Sequence, residues 1–540
     1  MKTRFFKILT LVIILLFAEV ILFTSCSSDS DSGGSTSSDT TYYTVSPAVS
    51  SNNIFAGITL PQNPWMGTNN WSGGHQDSYC SESVGLSGPT SSQLKMIKRY
   101  NPYGFTPIMA CNSNNQMMGV SLDYETGIYR LIVFDQDLRI LTANQTATLV
   151  PGTFGGGYFF MNEDDNAVVV GNNKIKCFPT ANVESKKDVY ELTALWESDD
   201  IVKMVTGSSE NNSLYATLPV WDNENSELYW CLIAGEYDFT TPKLVSPAYI
   251  AVVHVNPNTG ATTLMDSVQL ASQWNNNTLA VDEDGVYFVT NGVDEDGTCS
   301  WGLLNSYSYD ADTMAISKRW DYSYENCGVL KTGLKNIGSG TTPSIMVNRT
   351  NGKKYITFDD NDAPKFNVVV VDQTDGSLVA EVPVLPDNKG CDEASFIAVD
   401  SSIVVENNYG HTVNWPQSQL IPNEPGMLRI DMNPSNTTKP TSTIWYDQEH
   451  CYFAMSMLCR ESGIIFAHTG TWADPISSTE GAMYQISAID SADGSFVWTI
   501  DLGRGVDYCH EYGGLYFDHN GSLYVGTNQF LFTIKNDTKN

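Results

Sequence analysis

Carboxylates, amides and imidazoles recur in the last third of the chain at spacings too long for a linear motif. Glu393 and Glu406 are followed by Asn407 and His411, then by His450, His468, His510 and Glu511. Upstream, Asp359 and Asp360 open an acidic run that continues through Asn361 to Asp362. Oxygen donors of this kind suit calcium, so Asp359, Asp360, Glu406 and Glu511 are the expected ligands of a divalent cation. Imidazoles in the same set would admit a transition metal. Without a metal, the same groups could hold a cationic or sugar-like ligand. No linear catalytic signature accompanies them, since the sequence has no H-E-x-x-H, G-x-S-x-G or Walker loop. The Val-Asp-Glu-Asp-Gly segments at 281–285 and 293–297 suggest calcium loops, but Ala280 and Gly292 stand where the leading Asp belongs. They are expected to be hairpin turns. Groups scattered from 359 to 511 can act together only if the fold gathers them.

The elements available for this are short strands. Tyr, Val, Ile, Phe, Trp and Thr form alternating runs separated by Asn, Asp and Gly, and no long amphipathic helix is legible. The runs recur with a period of about 58 residues. Copies begin near Thr106, Gly157, Ser213, Asn277, Thr342, Ala394, Phe453 and Gly514. Four strands per copy predict an all-β fold, a single β-propeller of eight four-stranded antiparallel blades over 94–536. Seven blades is the alternative, because the third copy, 201–270, is long. The last copy has three strands before the chain ends, and an orphan strand stands upstream at Leu94–Tyr100. Pairing of the two would close the ring and remove an exposed edge. In such a ring, the loops before innermost strands and those joining second to third strands open on one mouth of the channel. Glu393, Glu406, Asn407, His411, His450, His468, His510 and Glu511 fall in those loops and are expected to converge there.

Ala488-Ile-Asp490-Ser-Ala-Asp493-Gly494-Ser-Phe-Val-Trp498 resembles the Trp-docking repeat of quinoprotein-like propellers, with Asp493 in place of the usual Thr. Val371–Leu378 and Val255–Gly260 are weaker copies. Asp/Asn-Gly would make the tight turn between the outer strands, and the Trp would pack between blades. The resemblance implies the fold. It does not imply bound pyrroloquinoline quinone (PQQ), because the adjacent cysteine pair of the quinone dehydrogenases is absent, as is C-x-x-C-H for haem. Function on this fold varies too widely for the fold to decide it.

The N-terminus reads as an address. Lys2, Arg4 and Lys7 precede an apolar run from Ile8 to Phe23, and Thr24-Ser25-Cys26 follows. The run resembles a bacterial lipobox, which implies cleavage before Cys26 and lipidation of its thiol. Residues 1–25 are then the signal peptide, and 26–60, rich in Ser and Asp, a flexible tether. Residues 61–93 are too aromatic for a linker, with Trp65, Trp71, His75, Tyr79 and Glu82. They are expected to pack on the ring, as a cap on the mouth or against its side. An exported chain is permitted disulfides. Cys451/Cys459 and Cys299/Cys327 are close in sequence, while Cys177 and Cys231 read as buried free thiols.

Net charge is −32, from 29 basic and 61 acidic side chains, which argues against a nucleic-acid partner. The expectation is a monomeric lipoprotein of the bacterial cell envelope, on the outer membrane, with the cell surface as the alternative. Its polar channel mouth would bind an unidentified protein, glycan or small molecule. A metal-assisted hydrolase of the lactonase kind is the alternative, and a quinone-dependent oxidoreductase is less favoured.

Overall fold

The computed structural model describes residues 38–538, apart from 68–72, 150–157, 223, 276, 411–422, 437, 454, 473–481 and 511–512. Eight small antiparallel sheets form the blades of a β-propeller. Blades 1 to 7 occupy 105–148, 159–197, 213–270, 273–325, 344–384, 397–447 and 451–504. Blade 8 draws on both ends of the chain. Strand Gln93–Tyr100 lies antiparallel beside Phe530–Asn536, with Leu94 opposite Asn536 and Tyr100 opposite Phe530. The ring therefore closes with eight blades.

Blade position dictates the strand sequences. Phe366–Asp372 lies inside blade 5 with neighbouring blades on both faces, and every residue of it is buried. An uninterrupted apolar run such as Val368–Val371 is what two covered faces require. The outermost strand Leu378–Val384 has one open edge and mixes buried with exposed positions. Tryptophans of outer strands dock on the turns of the next blade. Trp320 Nε1 donates to Gln373 O at 2.9 Å, and Trp445 Nε1 to Ser491 O at 2.8 Å. Each indole covers the turn glycine, Gly376 or Gly494, which sits at φ +72° or +77°.

The N-terminal region departs from a tether followed by a cap. From Asp39 the chain belongs to the ring: Asp39–Thr44 pairs with Gln93–Tyr100 as a fifth strand of blade 8. Ala48, Phe55, Ile58 and Leu60 are buried. These few apolar residues anchor 48–60 on the ring, although Asp39–Thr44 and most of the stretch remain exposed. The stretch beyond 72 neither caps the mouth nor packs on the side. It enters the channel and crosses the innermost strands in turn. Tyr516 of blade 8 donates its hydroxyl to Gly74 O at 3.0 Å. Backbone N–H groups of blades 4, 5, 6 and 7 (Val281, Ile345, Ala398 and Leu458) bond to Ser78, Tyr79, Ser81 and Glu82 carbonyls at 2.7–3.1 Å. Ser83–Val84 then pairs with Met457–Cys459. The innermost strands of blades 4 to 7 thus turn backbone N–H groups toward the axis, and carbonyls of this axial segment accept from them.

The ten cysteines from Cys80 to Cys509 are free thiols, so neither Cys451/Cys459 nor Cys299/Cys327 is bridged. Cys451 Sγ instead donates to Asn423 O at 3.1 Å. Cys327 Sγ reaches the carbonyls of Val329 and Asn361. Among the described residues, no helix is long and apolar enough to cross a membrane.

Candidate functional site

One face of the ring is built up over blades 3 to 5. Strands Glu236–Asp238 and Lys243–Ser246 form an extra hairpin between the second and third strands of blade 3. Tyr237 of this hairpin stacks on Trp274, with ring centres 5.4 Å apart, and packs with Val293, Cys299 and Ile337. Residues 326–343, between blades 4 and 5, form a strap that reaches across to blade 6. Lys331 Nζ donates to Asp362 O at 2.6 Å and Gly390 O at 2.9 Å. Gly410 N donates to Thr332 O at 2.8 Å. Val329 and Leu330 at its outer side are 59% and 48% exposed.

Beneath the strap lies a group of carboxyls. Glu393 Oε1 accepts from Lys335 N at 3.1 Å and Asn336 Nδ2 at 3.0 Å. Its Oε2 faces the Gly340 backbone so closely that any β-carbon there would collide with it. Asp392 uses one oxygen to cap Ala394 N at 2.8 Å. Glu406 accepts from Ser456 Oγ at 2.8 Å. Asp359 is fully buried with no oxygen in good hydrogen-bond geometry, though the Ser339 hydroxyl and the Lys331 charge lie close enough to ease its ionisation, and Asp392, Glu393 and Glu406 each keep one oxygen without a partner. Burial raises the Asp359 carboxyl well above its usual range, reinforced by Asp360 and Glu393. Burial does the same for Asp392, reinforced by Glu406 and Asp359. Glu393 and Glu406 are each pushed up to about 8, chiefly by burial.

The axial segment supplies the floor. His75 Nδ1 lies 2.6 Å from Glu82 Oε1 and 2.7 Å from Ser395 Oγ, and Nε2 lies 3.1 Å from Thr342 Oγ1. Thr342 Oγ1 donates to Asn277 Oδ1 at 2.7 Å, which also accepts from Tyr158 at 2.9 Å. One buried imidazole thus ties together blades 2, 4, 5 and 6.

The other site candidates divide. The His468 and His510 rings meet edge to face, 4.9 Å between centres, and both are fully buried. His450 stands apart from that pair, half-exposed, with Nδ1 2.9 Å from Asp447 and its ring stacked on Phe496 at 4.0 Å. Asn407 is a loop clamp, accepting from Cys391 N and Tyr409 N and donating to Lys389 O. Asp360 accepts three bonds from Asp362 N, Asn367 N and Asn367 Nδ2, so its carboxylate is used by its own turn. His411, Glu511 and Cys26 lie outside the described residues. Among the described residues, no three His, Cys, Asp or Glu side chains meet as a metal-binding set. The set Asp359, Asp360, Glu406 and Glu511 is therefore not assembled by its described members. Loop position also put Asp392 before an innermost strand, but it did not single out Glu82, Lys331 and Asn336. Their one sequence signal is a polar residue inside an otherwise apolar or aromatic stretch.

No family model and no curated protein matches the chain. Solved structures similar to it include Sqt1 of Chaetomium thermophilum bound to the N-terminus of ribosomal protein L10. That match has 12% identity, covers 80% of this chain and 98% of that one, and has a TM-score of 0.43. The WD40 domain of SCAP from fission yeast is 9% identical over 81% of this chain and 98% of that one, at a TM-score of 0.40. The Dos1 propeller is 11% identical, covering 91% and 95%, with a TM-score of 0.36. At these identities and scores, no functional argument is drawn from them.

Proposed function

We propose that the chain is an exported, lipid-anchored β-propeller of quinoprotein-like descent, acting as a binding platform through the face that carries the strap. The observation that carries this reading is the axial segment. It fills the channel with the chain's own backbone and leaves a rigid ring with one elaborated face. A rigid ring suits binding, because little conformational entropy remains to be lost when a partner docks. The exposed Phe239, Val245, Val329 and Leu330 on that face offer apolar anchors among acidic loops. The Trp-on-glycine docking supports the quinoprotein-like reading, and the Thr-Ser-Cys26 run supports the anchor. The partner is a protein, glycan or small molecule of the cell envelope.

A photo-crosslinking residue placed at Leu330, and separately at Met314 in the turn between the outer strands of blade 4, tests the reading in the native envelope. Adducts from position 330 that are absent at 314 are expected. Equal labelling at both positions, or none at 330, would count against a protein-binding face.

A further inference from the structure

We propose that the cleft between the extra hairpin of blade 3 and the 293–298 turn of blade 4 binds an arginine side chain carried by a basic protein segment. This rests on the binding reading of that face and names the partner's chemistry. Its test uses purified protein and a defined peptide, so it can fail while crosslinking from position 330 succeeds.

The cleft is built into the ring. Its volume is about 610 Å³, within the range of sites that take a small ligand or a short stretch of peptide. Pro242, Lys243 and Leu244 of the hairpin line one side, and the turn Asp294–Gly297 with Trp301 lines the other. Buried Val293 lies between them. The two sides are locked together. Tyr237 donates its hydroxyl to Gly297 O at 2.8 Å. Gly297, at φ +89°, packs so close to the Pro242 carbonyl that a β-carbon would collide with it. A cleft held this way exists before a partner arrives, which lowers the cost of binding.

The groups lining it are selective. The Trp301 indole lies against the Gly292 backbone, where a β-carbon would leave no room for the ring. Its Nε1 donates to Asp294 Oδ1 at 3.0 Å, which fixes the plane of the indole. Asp294, Glu295 and Asp296 are exposed around it. Asp294 also accepts from Ser300 Oγ at 3.3 Å, and Asp296 caps Thr298 N at 3.0 Å. Three acids thus meet one base, Lys243, which stands opposite Asp238 in the hairpin register.

This lining favours a cation over a sugar. Among the described residues, Lys243 and Ser272 are the side-chain donors left in the cleft, since the Trp301 N–H is taken by Asp294. A sugar hydroxyl both donates and accepts, whereas a guanidinium needs acceptors alone. An aromatic face edged by carboxylates suits arginine, whose planar head stacks on the ring and donates in a fork to an acid. The net charge of −32 favours the approach of a basic partner. Phe239 and Val245 on the hairpin side are 44% and 39% exposed and offer apolar contact to the residues beside the arginine.

The test is a ligand-observed NMR titration of the purified full chain, in nonionic detergent at physiological salt. The probe is the capped peptide Ala-Gly-Arg-Gly-Ala, compared with its neutral citrulline counterpart. The arginine peptide should bind about tenfold tighter or more. Trp301→Ala should weaken it about threefold or more, and Glu295→Gln about three- to fivefold. Glu295→Gln keeps the proposal testable should Trp301→Ala fail to fold. Asp312→Asn, which removes one exposed charge from the turn between the outer strands of blade 4, should leave the affinity unchanged. Equal binding of the two peptides overturns the proposal. So does an equal loss in Asp312→Asn and Glu295→Gln, which would mark a diffuse attraction to an acidic protein. A neutral oligosaccharide, cellohexaose or maltohexaose, that binds and is lost in Trp301→Ala would make the cleft a glycan site instead. Displacement of the peptide by calcium chloride, but not by sodium chloride of equal ionic strength, would make it a cation site.

Discussion

Glu406 gives the sharpest stability experiment. Its carboxyl is 5% exposed, one oxygen accepts from Ser456 and the other has no partner. Burial holds its pKa at about 8, against an ordinary value of 4.5. The folded state therefore keeps a proton that the unfolded chain has lost at every pH between those values. The Glu406 contribution to stability therefore falls as pH rises through this window, by about 1.4 kcal/mol per unit, and levels off above 8. At pH 7 the accumulated cost is roughly 3 kcal/mol. Glu406→Gln retains a carbonyl for Ser456 and cannot ionise. Near pH 4.5 the variant and the parent should be within about 1 kcal/mol of each other, the residual being the unbonded amide. At pH 7 the variant should be the more stable by roughly 2–3 kcal/mol, and the pH slope of the difference should vanish above 8. Urea unfolding at half-unit steps from pH 4.5 to 9 measures this directly. A difference that is flat across the whole range would refute the argument, because the carboxyl would then be ionised in the fold. A parent that gains stability from added calcium would refute it in another way, by showing that a cation replaces the proton.

Three further outcomes are expected. Ile97→Ala in the closing strand, where Ile97 is buried opposite Thr533, should cost about 2–4 kcal/mol in chemical denaturation; an unchanged midpoint would mean that the ends do not close the ring. Gly494→Ala places a β-carbon 2.8 Å from the Trp445 ring at a φ of +77°, and should cost about 1–3 kcal/mol; a neutral result would remove the docking role of that turn. Cys26→Ser should move the protein from the membrane fraction to the soluble one, and retention of the variant in high salt would point to an uncleaved anchor.

The ring was legible because its physics is local and repeated. Each blade needs four short apolar strands and an Asp/Asn-Gly turn, so the pattern of Val368–Gly376 returns in Ile486–Gly494. The orphan strand at 94–100 could be matched to the three-stranded last copy by counting alone. The mouth was only partly legible. Loop position placed Glu393, Asp392 and Glu406 on one face, but not the separation of His450 from His468 and His510. That depends on where each ring packs, and the Phe496 stack sets His450, in the link before blade 7, against that blade's outer strand. The strap was illegible for a related reason. Residues 326–343 carry no periodicity, and their position follows from bonds to Asp362, Gly390 and Glu393, which no local rule connects to them.

The axial segment shows what a repeat-based reading leaves out. Propeller inner strands have free edges around the axis, and the sequence does not say what satisfies them. Here the answer lies upstream of the first repeat, in residues whose composition fits a surface cap equally well. His75 and Glu82 distinguish the two. An acid and an imidazole seven residues apart would be solvated in a cap. In the channel they pair at 2.6 Å, each 4% exposed or less. Burying this pair costs less when its imidazole is met on both nitrogens, and Ser395 and Thr342 from two different blades do that, while Glu82 Oε2 has no hydrogen-bond partner. The pair therefore requires the blades to be in register around it. Since His75 bonds groups that enter two successive blades, Thr342 and Ser395, the segment acts as a template for the ring as well as a filling for its channel.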